Sequence, residues 1–277
     1  MAGRTVRKQY RAMSDDIGDL RTQRPLPNDE IDYLDPFLFL NHHGPQVYPP
    51  GNRGLPFGPH PHRGFETVTF IVKGSLAHRD TVGHESVIDA GGVQWMTAGR
   101  GVEHSELSPD EFLRRGGPLE ILQLWINLPA RLKMTEPRYI GLQRDAIPAE
   151  RGDRWTIRRI AGEGGAMQSL TGVVMMTIEW TGEAPVLHLD APRQRHVFLY
   201  VVRGTIKVAG VTATEFHLVD VDDDGDAVDI EAVSEALVIF GHAEPLNEPV
   251  VAHGPFVMNT REEILQAFRD YRMGEFR

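Results

Sequence analysis

The sequence predicts an all-β protein: two antiparallel sandwiches or barrels in tandem, followed by a C-terminal helix. Three observations carry that expectation. Glycine (28) and proline (19) recur along all 277 residues and punctuate short stretches rich in Val, Ile, Thr, Phe and Trp. Long helical periodicity is nearly absent. The stretches also fall into two groups, in keeping with length, since 277 residues at roughly 150 per domain suggest two domains.

The first group spans residues 14–135 and contains ETVTFIVKG at 66–74, VQWMTAG at 93–99 and LEILQLWINL at 119–128. The polar, proline-bearing segment MTEPRYIGLQRDAIPAERGDR then reads as a connector. The second group, assigned to a domain over 155–277, contains VVMMTIEW at 173–180, HVFLYVVRGTIKVAG at 196–210 and EALVIFG at 235–241. Beyond it, Thr260 with Glu263 three residues on is a capping-box signature. Ile264, Phe268 and Tyr271 follow at i, i+4 and i+7, which predicts an amphipathic helix docked on the body.

Two charged segments read as solvated. The N-terminal MAGRTVRKQYRAMSDD carries Arg4, Arg7, Lys8 and Arg11 without the apolar core of a secretory signal, and is expected to be a tail. The acidic VDVDDDGDAVDIE at 219–231 matches a calcium loop in length from Asp220 to Glu231. Its flanks read as strands where a calcium loop needs helices, so a turn between strands is expected.

Composition narrows the chemistry. Apolar residues at 41% and charged residues at 25% are ordinary for a folded globular chain. With 29 Lys plus Arg against 39 Asp plus Glu, the net charge of -10 disfavours nucleic acid or an anionic membrane as partner. No run approaches the roughly 18 apolar residues of a membrane span, and a cytoplasmic location is expected. The cysteine count is 0, which excludes disulfides, thiolate zinc sites, iron–sulfur clusters and a cysteine nucleophile. Any metal must therefore be held by histidine and carboxylate.

Histidine supplies the candidate. Five of the 12 histidines lie between 42 and 78, with two more at 84 and 104. His60 and His62, at i and i+2, point to one side of an extended chain. Glu66 shares their parity, as do Val68 and Phe70, so a continuous strand would turn all of them inward. Buried imidazoles and carboxylates are costly unless paired or metal-bound. Taken alone, the pair is equally served by bonds to backbone carbonyls. A second pair, His104 and Glu106, again shares parity and follows the Gly99–Arg100–Gly101 turn. Three histidines with a carboxylate leave open positions on an octahedral metal, much as in non-haem iron sites. Parity does not decide between Glu66 and Glu106. The histidines of the second half (His188, His196, His217, His242 and His253) are scattered singly and are expected to be surface or hydrogen-bonded groups.

The segment Gly54–Gly74 resembles the first cupin motif, with His60, His62 and Glu66 on its polar positions and Gly74 one residue further than usual. The second cupin motif is partly kept: Gly99, Gly101 and His104 match, while Ser108 stands in the asparagine place. That departure, with HPHRGFETV, DAGGVQWMTAGRGVEHSE, EPVVAHGPFVMNTREEI and FLFLNHHGP, resembles the pirin family from about residue 30 onward. The resemblance implies two cupin barrels of the double-stranded β-helix or jelly-roll kind, the C-terminal one metal-free. It implies one mononuclear metal, Fe(II) first, held by His60, His62, His104 and Glu106. Glu66 would then orient a ligand or water. Imidazole and carboxylate also suit Mn, Ni, Cu, Co and Zn.

The activity the resemblance implies is cleavage of a flavonol or related aromatic enol by dioxygen, as in quercetin 2,3-dioxygenase. Glu106 would take the substrate proton, and Phe57, Val68, Phe70, Trp95 and Met96 would wall the pocket. The alternative is an iron-containing, redox-responsive regulator that acts by binding an unidentified protein. A third reading is a metal that is purely structural.

Overall fold

The structure, a computed structural model, describes residues 2–276. Two compact units account for the chain. One comprises Ser14–Gln23, Pro36–Arg144 and the C-terminal residues from Leu246; the other comprises the N-terminal residues through Met13, Arg24–Asp35 and Asp145–Pro245. Each unit pairs one seven-stranded with one four-stranded antiparallel sheet, the two-sheet form of a jelly roll. Among the described residues, no helix is long and apolar enough to cross a membrane.

In the first unit the larger sheet runs Arg138–Leu142, Val93–Thr97, Phe65–Lys73, Gly117–Asn127, Phe37–Tyr48, with Thr22–Leu26 and Met13–Ser14 at its edge. The smaller runs Phe57–His62, Val102–Leu107, Ser75–Asp80, Glu85–Asp89. Ile71, Leu119 and Ile121 from the larger sheet meet Leu76 and Ile88 from the smaller in one core, which holds the two sheets face to face. In the other unit, His196–Arg203, Glu235–Ala243 and Val174–Thr181 are central strands. Their inward residues Leu199, Val238, Phe240 and Ile178 form a dense apolar core with Ile206 and Ile230 of the facing sheet.

The expected C-terminal helix is Arg261–Arg272, and both halves of the capping box form: Glu263 N–H donates to Thr260 Oγ1 at 3.2 Å, and Thr260 N–H to Glu263 Oε2 at 2.9 Å. Its neighbours differ from the expected 155–277 domain. The chain from Leu246 packs with the unit that holds 36–144. Arg63, inside the histidine motif, explains this. Its Nη1 donates to Asp270 Oδ2 at 2.6 Å, its Nε donates to the carbonyl of Arg100, and its guanidinium lies 4.6 Å from the Phe276 ring centroid. The buried Lys133 ammonium adds a second tie, donating to the carbonyls of Gly64 at 2.8 Å and Val257 at 3.0 Å and to Asn127 Oδ1 at 2.6 Å.

The N-terminal residues are not a solvated tail. Val6–Arg11 is a strand paired with His217–Val221, and Arg4 is only 1% exposed. The Arg4 guanidinium donates to the carbonyls of Ala191, Pro192, Arg195 and Asp222 and to Asp223 Oδ1 at 2.8 Å. Arg7 pairs with Asp222 at 2.8 Å, and Thr5 donates to Asp224. The basic arm and the acidic turn are thus one another's partners, which hydropathy patterning of either segment alone does not reveal.

Gly64 makes the turn between the motif strand and the next. It has φ +88°, and a Cβ there would stand 1.9 Å from the Val257 carbonyl oxygen. Gly64→Ala is therefore expected to destabilise the protein by about 2–4 kcal/mol in urea unfolding. Gly210, with φ +81° but nothing within 4 Å, carries only the backbone strain, so Gly210→Ala should cost about 1 kcal/mol. Equal losses at the two positions would contradict the packing argument.

Candidate metal centre

Local pairing builds the site. His60 and His62 alternate onto one face of Phe57–His62, and His104 of Val102–Leu107 lies directly opposite His60. Ring centroids are 4.4 Å apart for His60–His104, 4.8 Å for His60–His62 and 5.0 Å for His62–His104. One ring nitrogen from each of the three lies within 4.8 Å of the others, and among the described residues this is the group of three able to hold a metal ion.

Backbone carbonyls select the tautomers. His60 Nδ1–H donates to the Gly58 carbonyl at 2.7 Å and His62 Nδ1–H to the Pro255 carbonyl at 3.3 Å, which leaves a lone pair on each Nε2. His62 Nε2 and both ring nitrogens of His104 are buried with no hydrogen-bond partner. Burial, with His60 adding to it, brings the His62 pKa down to about 3; burial and the neighbouring histidines also hold His104 well below its ordinary value. Neutral imidazoles with free, converging, buried lone pairs fit a borderline divalent cation.

Glu106 shares the His104 face but stands outside the group of three. A bulge in the pairing with Phe57–His62 lies between His104 and Glu106. Thr69 Oγ1 donates to Glu106 Oε1 at 2.7 Å, and Gln123 Nε2 donates to Oε2. Trp125 Nε1 in turn donates to Gln123 Oε1 at 3.2 Å, which fixes the amide orientation, and its ring lies 5.3 Å from that of His62. Thr69, Gln123 and Trp125 were not among the expected site residues. The available signal was Gln123, a polar residue sharing the parity of Leu119 and Ile121 in a buried strand.

Glu66 is not brought to the histidines. The expectation assumed one continuous strand, but the chain turns at Arg63–Gly64 and Phe65–Lys73 belongs to the other sheet. On that strand Phe65 packs on His62 with centroids 5.0 Å apart and Thr69 reaches Glu106, so Glu66, Val68 and Phe70 face the opposite side. There Thr97 Oγ1 donates to Glu66 Oε1 at 2.6 Å, and burial raises the Glu66 pKa. Trp95 is the cross-strand partner of Val68 and shares its side; Met96 is the partner of Thr67, and Phe57 that of Glu106. Of the five expected wall residues, Met96 and Phe57 therefore lie on the histidine side.

The remaining histidines are hydrogen-bonded or packed. His78 stacks on Tyr139 at 3.9 Å and bonds Asp80, as does His84 at 2.9 Å. Burial alone would raise Asp80, but these bonds hold it down to about 2. In the other unit His188 bonds Asp229, His196 bonds the Asp35 carbonyl and His217 bonds Thr214.

Comparison with known proteins identifies the family. The family model for pirin matches residues 19–126, and that for the pirin C-terminal cupin domain matches 178–277. Human pirin is 37% identical over 273 residues, covering 95% of this chain and 89% of its own length. A pirin-like protein of Caulobacter vibrioides is 39% identical over 274 residues, with 95% of each chain covered. The crystal structure of quercetin 2,3-dioxygenase from Acinetobacter baumannii superposes with a TM-score of 0.91 at 31% identity, covering 99% of both chains.

Added divalent metal should raise the melting temperature of chelator-treated protein, and His104→Ala should abolish that rise. An unchanged rise in the variant would contradict the site. In metal-free protein His62 titrates at about 3 folded against 6.5 for the ordinary imidazole, so the unfolded chain binds more protons between those values. Stability should thus fall as pH drops from about 6.5 toward 3, and His62→Gln should flatten that slope. A melting temperature insensitive to acidification would oppose the reading.

Proposed function

This chain belongs to the pirin family, and we propose that it is a metal-dependent dioxygenase cleaving a flavonol or related aromatic enol, as quercetin 2,3-dioxygenase does. The observation that carries the proposal is the convergence of ring nitrogens from His60, His62 and His104 on the strand face shared by Glu106, of which His62 Nε2 and those of His104 are buried and unpartnered. These three histidines would hold one ion through nitrogen, with the Glu106 carboxylate as a fourth donor or as a base. The donor set suits Fe(II) first, and Mn, Ni, Cu, Co or Zn as well. When bound, the ion supplies Lewis acidity toward a substrate hydroxyl and a redox path to dioxygen.

The chain's own residues would do the rest. Glu106 accepts the proton of the enolic hydroxyl, and the bonds from Thr69 and Gln123 keep its carboxylate aimed while it does so. The Trp125–Gln123–Glu106 chain couples the carboxylate to the ring that packs on His62, so ligand and base are positioned by one indole. Phe57, Met96 and Phe65 supply apolar surface on the histidine side, which excludes water and strengthens the polar contacts inside. Dioxygen and a small aromatic molecule are then the expected partners.

Metal-loaded protein should consume flavonol under oxygen with release of carbon monoxide. Glu106→Gln should slow turnover by about 10²–10⁴-fold, assayed beside metal content so that loss of base and loss of metal are separated. If His60→Ala consumed flavonol as fast as the parent protein, the proposal would fail.

A further inference from the structure

A second candidate site lies within residues 145–245, remote in sequence from the histidine cluster. A cavity of about 550 Å³ opens there between Arg159, Val174, Met176, Leu189, Pro192 and His242. Ligand pockets of small molecules span roughly 300–1,000 Å³, so the volume fits one. Strand register explains how the lining converges. Val174 is paired with His242, Met176 with Phe240 and Arg159 with Met176, on strands whose inward residues fill the apolar core. The cavity floor is thus the open end of that core, with polar groups set beside it.

His242 is only 5% exposed, and its hydrogen bonding defines what it offers. Arg195 Nε–H donates to His242 Nδ1 at 2.6 Å, so the ring proton must sit on Nε2. Burial, with the Arg195 and Arg4 cations adding to it, brings its pKa down to about 3, and the ring stays neutral. The inner polar group of the cavity is therefore a fixed N–H donor. Arg159 supplies the cation: one Nη2–H bond goes to Glu150 at 2.9 Å, and the guanidinium has further donors beyond that one. The acids on the lining, Glu163 and Asp190, are both exposed and so belong to the rim.

We propose that this cavity binds a small monocarboxylate with an apolar or aromatic body. The carboxylate enters first, accepting from Arg159 and from His242 Nε2–H, while the body packs on Val174, Met176, Leu189 and Pro192. A buried N–H donor at His242 beside the half-exposed Arg159 guanidinium selects an anionic or strongly accepting group at the inner end. The rim carboxylates of Glu163 and Asp190 repel multiply charged anions, which leaves one negative charge as the best match. This site is independent of the dioxygenase proposal, since it shares no residue with the histidine centre.

Benzoate is a suitable probe, with benzyl alcohol and benzylamine as neutral and cationic counterparts. The full-length protein, labelled at methionine methyl groups, reports both sites by NMR: Met176 lines this cavity and Met96 lies on the histidine side. Benzoate should shift Met176 saturably, bind more tightly than benzyl alcohol, and weaken roughly tenfold in Arg159→Gln, as expected for one charge-assisted hydrogen bond. Arg159→Lys should recover part of the loss. The proposal is overturned if Met176 shows no saturable shift, if only Met96 responds, if Arg159→Gln binds benzoate unchanged, or if benzylamine binds as well as benzoate.

Discussion

The candidate metal centre depends on one constraint: imidazole nitrogens that are buried and unpartnered. His62 Nε2 and both nitrogens of His104 have no hydrogen-bond acceptor or donor within reach. A buried polar group left unpaired costs roughly 1–3 kcal/mol, and a fold that tolerates several in one place must recover the loss elsewhere. Coordination would recover much of it, because a divalent ion can take one lone pair from each of the three rings at once. The same burial keeps the rings neutral, which is the state a metal requires of them. The neutral rings and the capacity to hold an ion therefore both follow from the burial of one cluster.

Remote segments hold that cluster in place. The Pro255 carbonyl orients His62, and Val257 N–H bonds the Arg63 carbonyl at 3.0 Å, so the C-terminal hairpin reaches directly into the histidine motif. Arg63 and Lys133 fasten this contact with buried charge-assisted bonds to Asp270, Gly64 and Val257. Breaking a buried ionic tie is far more costly than an exposed one, since an uncompensated charge remains. The C-terminal helix is thus structurally part of the histidine cluster's support, although some 200 residues separate it from His62 in the chain.

Much of this was legible in the sequence, and the failures have physical reasons. Strand stretches, the capped helix and the histidine pairs rest on local periodicity, and local periodicity survives folding intact. Glu66, Val68 and Phe70 fall on the opposite side because parity holds only while a strand continues, and Gly64 interrupts it; Trp95, on another strand, follows its cross-strand partner Val68. The basic arm reads as solvated because the partners of Arg4, Thr5 and Arg7, namely Asp223, Asp224 and Asp222, lie more than 200 residues away. Gln123 and Thr69 escaped notice for the complementary reason: a polar residue on an inward strand face declares its purpose only once its cross-barrel partner, Glu106, is known.

The central claim is that three imidazoles, preorganised by the fold, bind one ion. X-ray absorption spectroscopy of the metal-loaded protein tests it most directly, because imidazole rings give a distinctive multiple-scattering signature. The account predicts one ion per chain with scattering from three imidazoles at about 2.0–2.2 Å. An ion bound through one imidazole or none, or no stoichiometric ion at all, would contradict it.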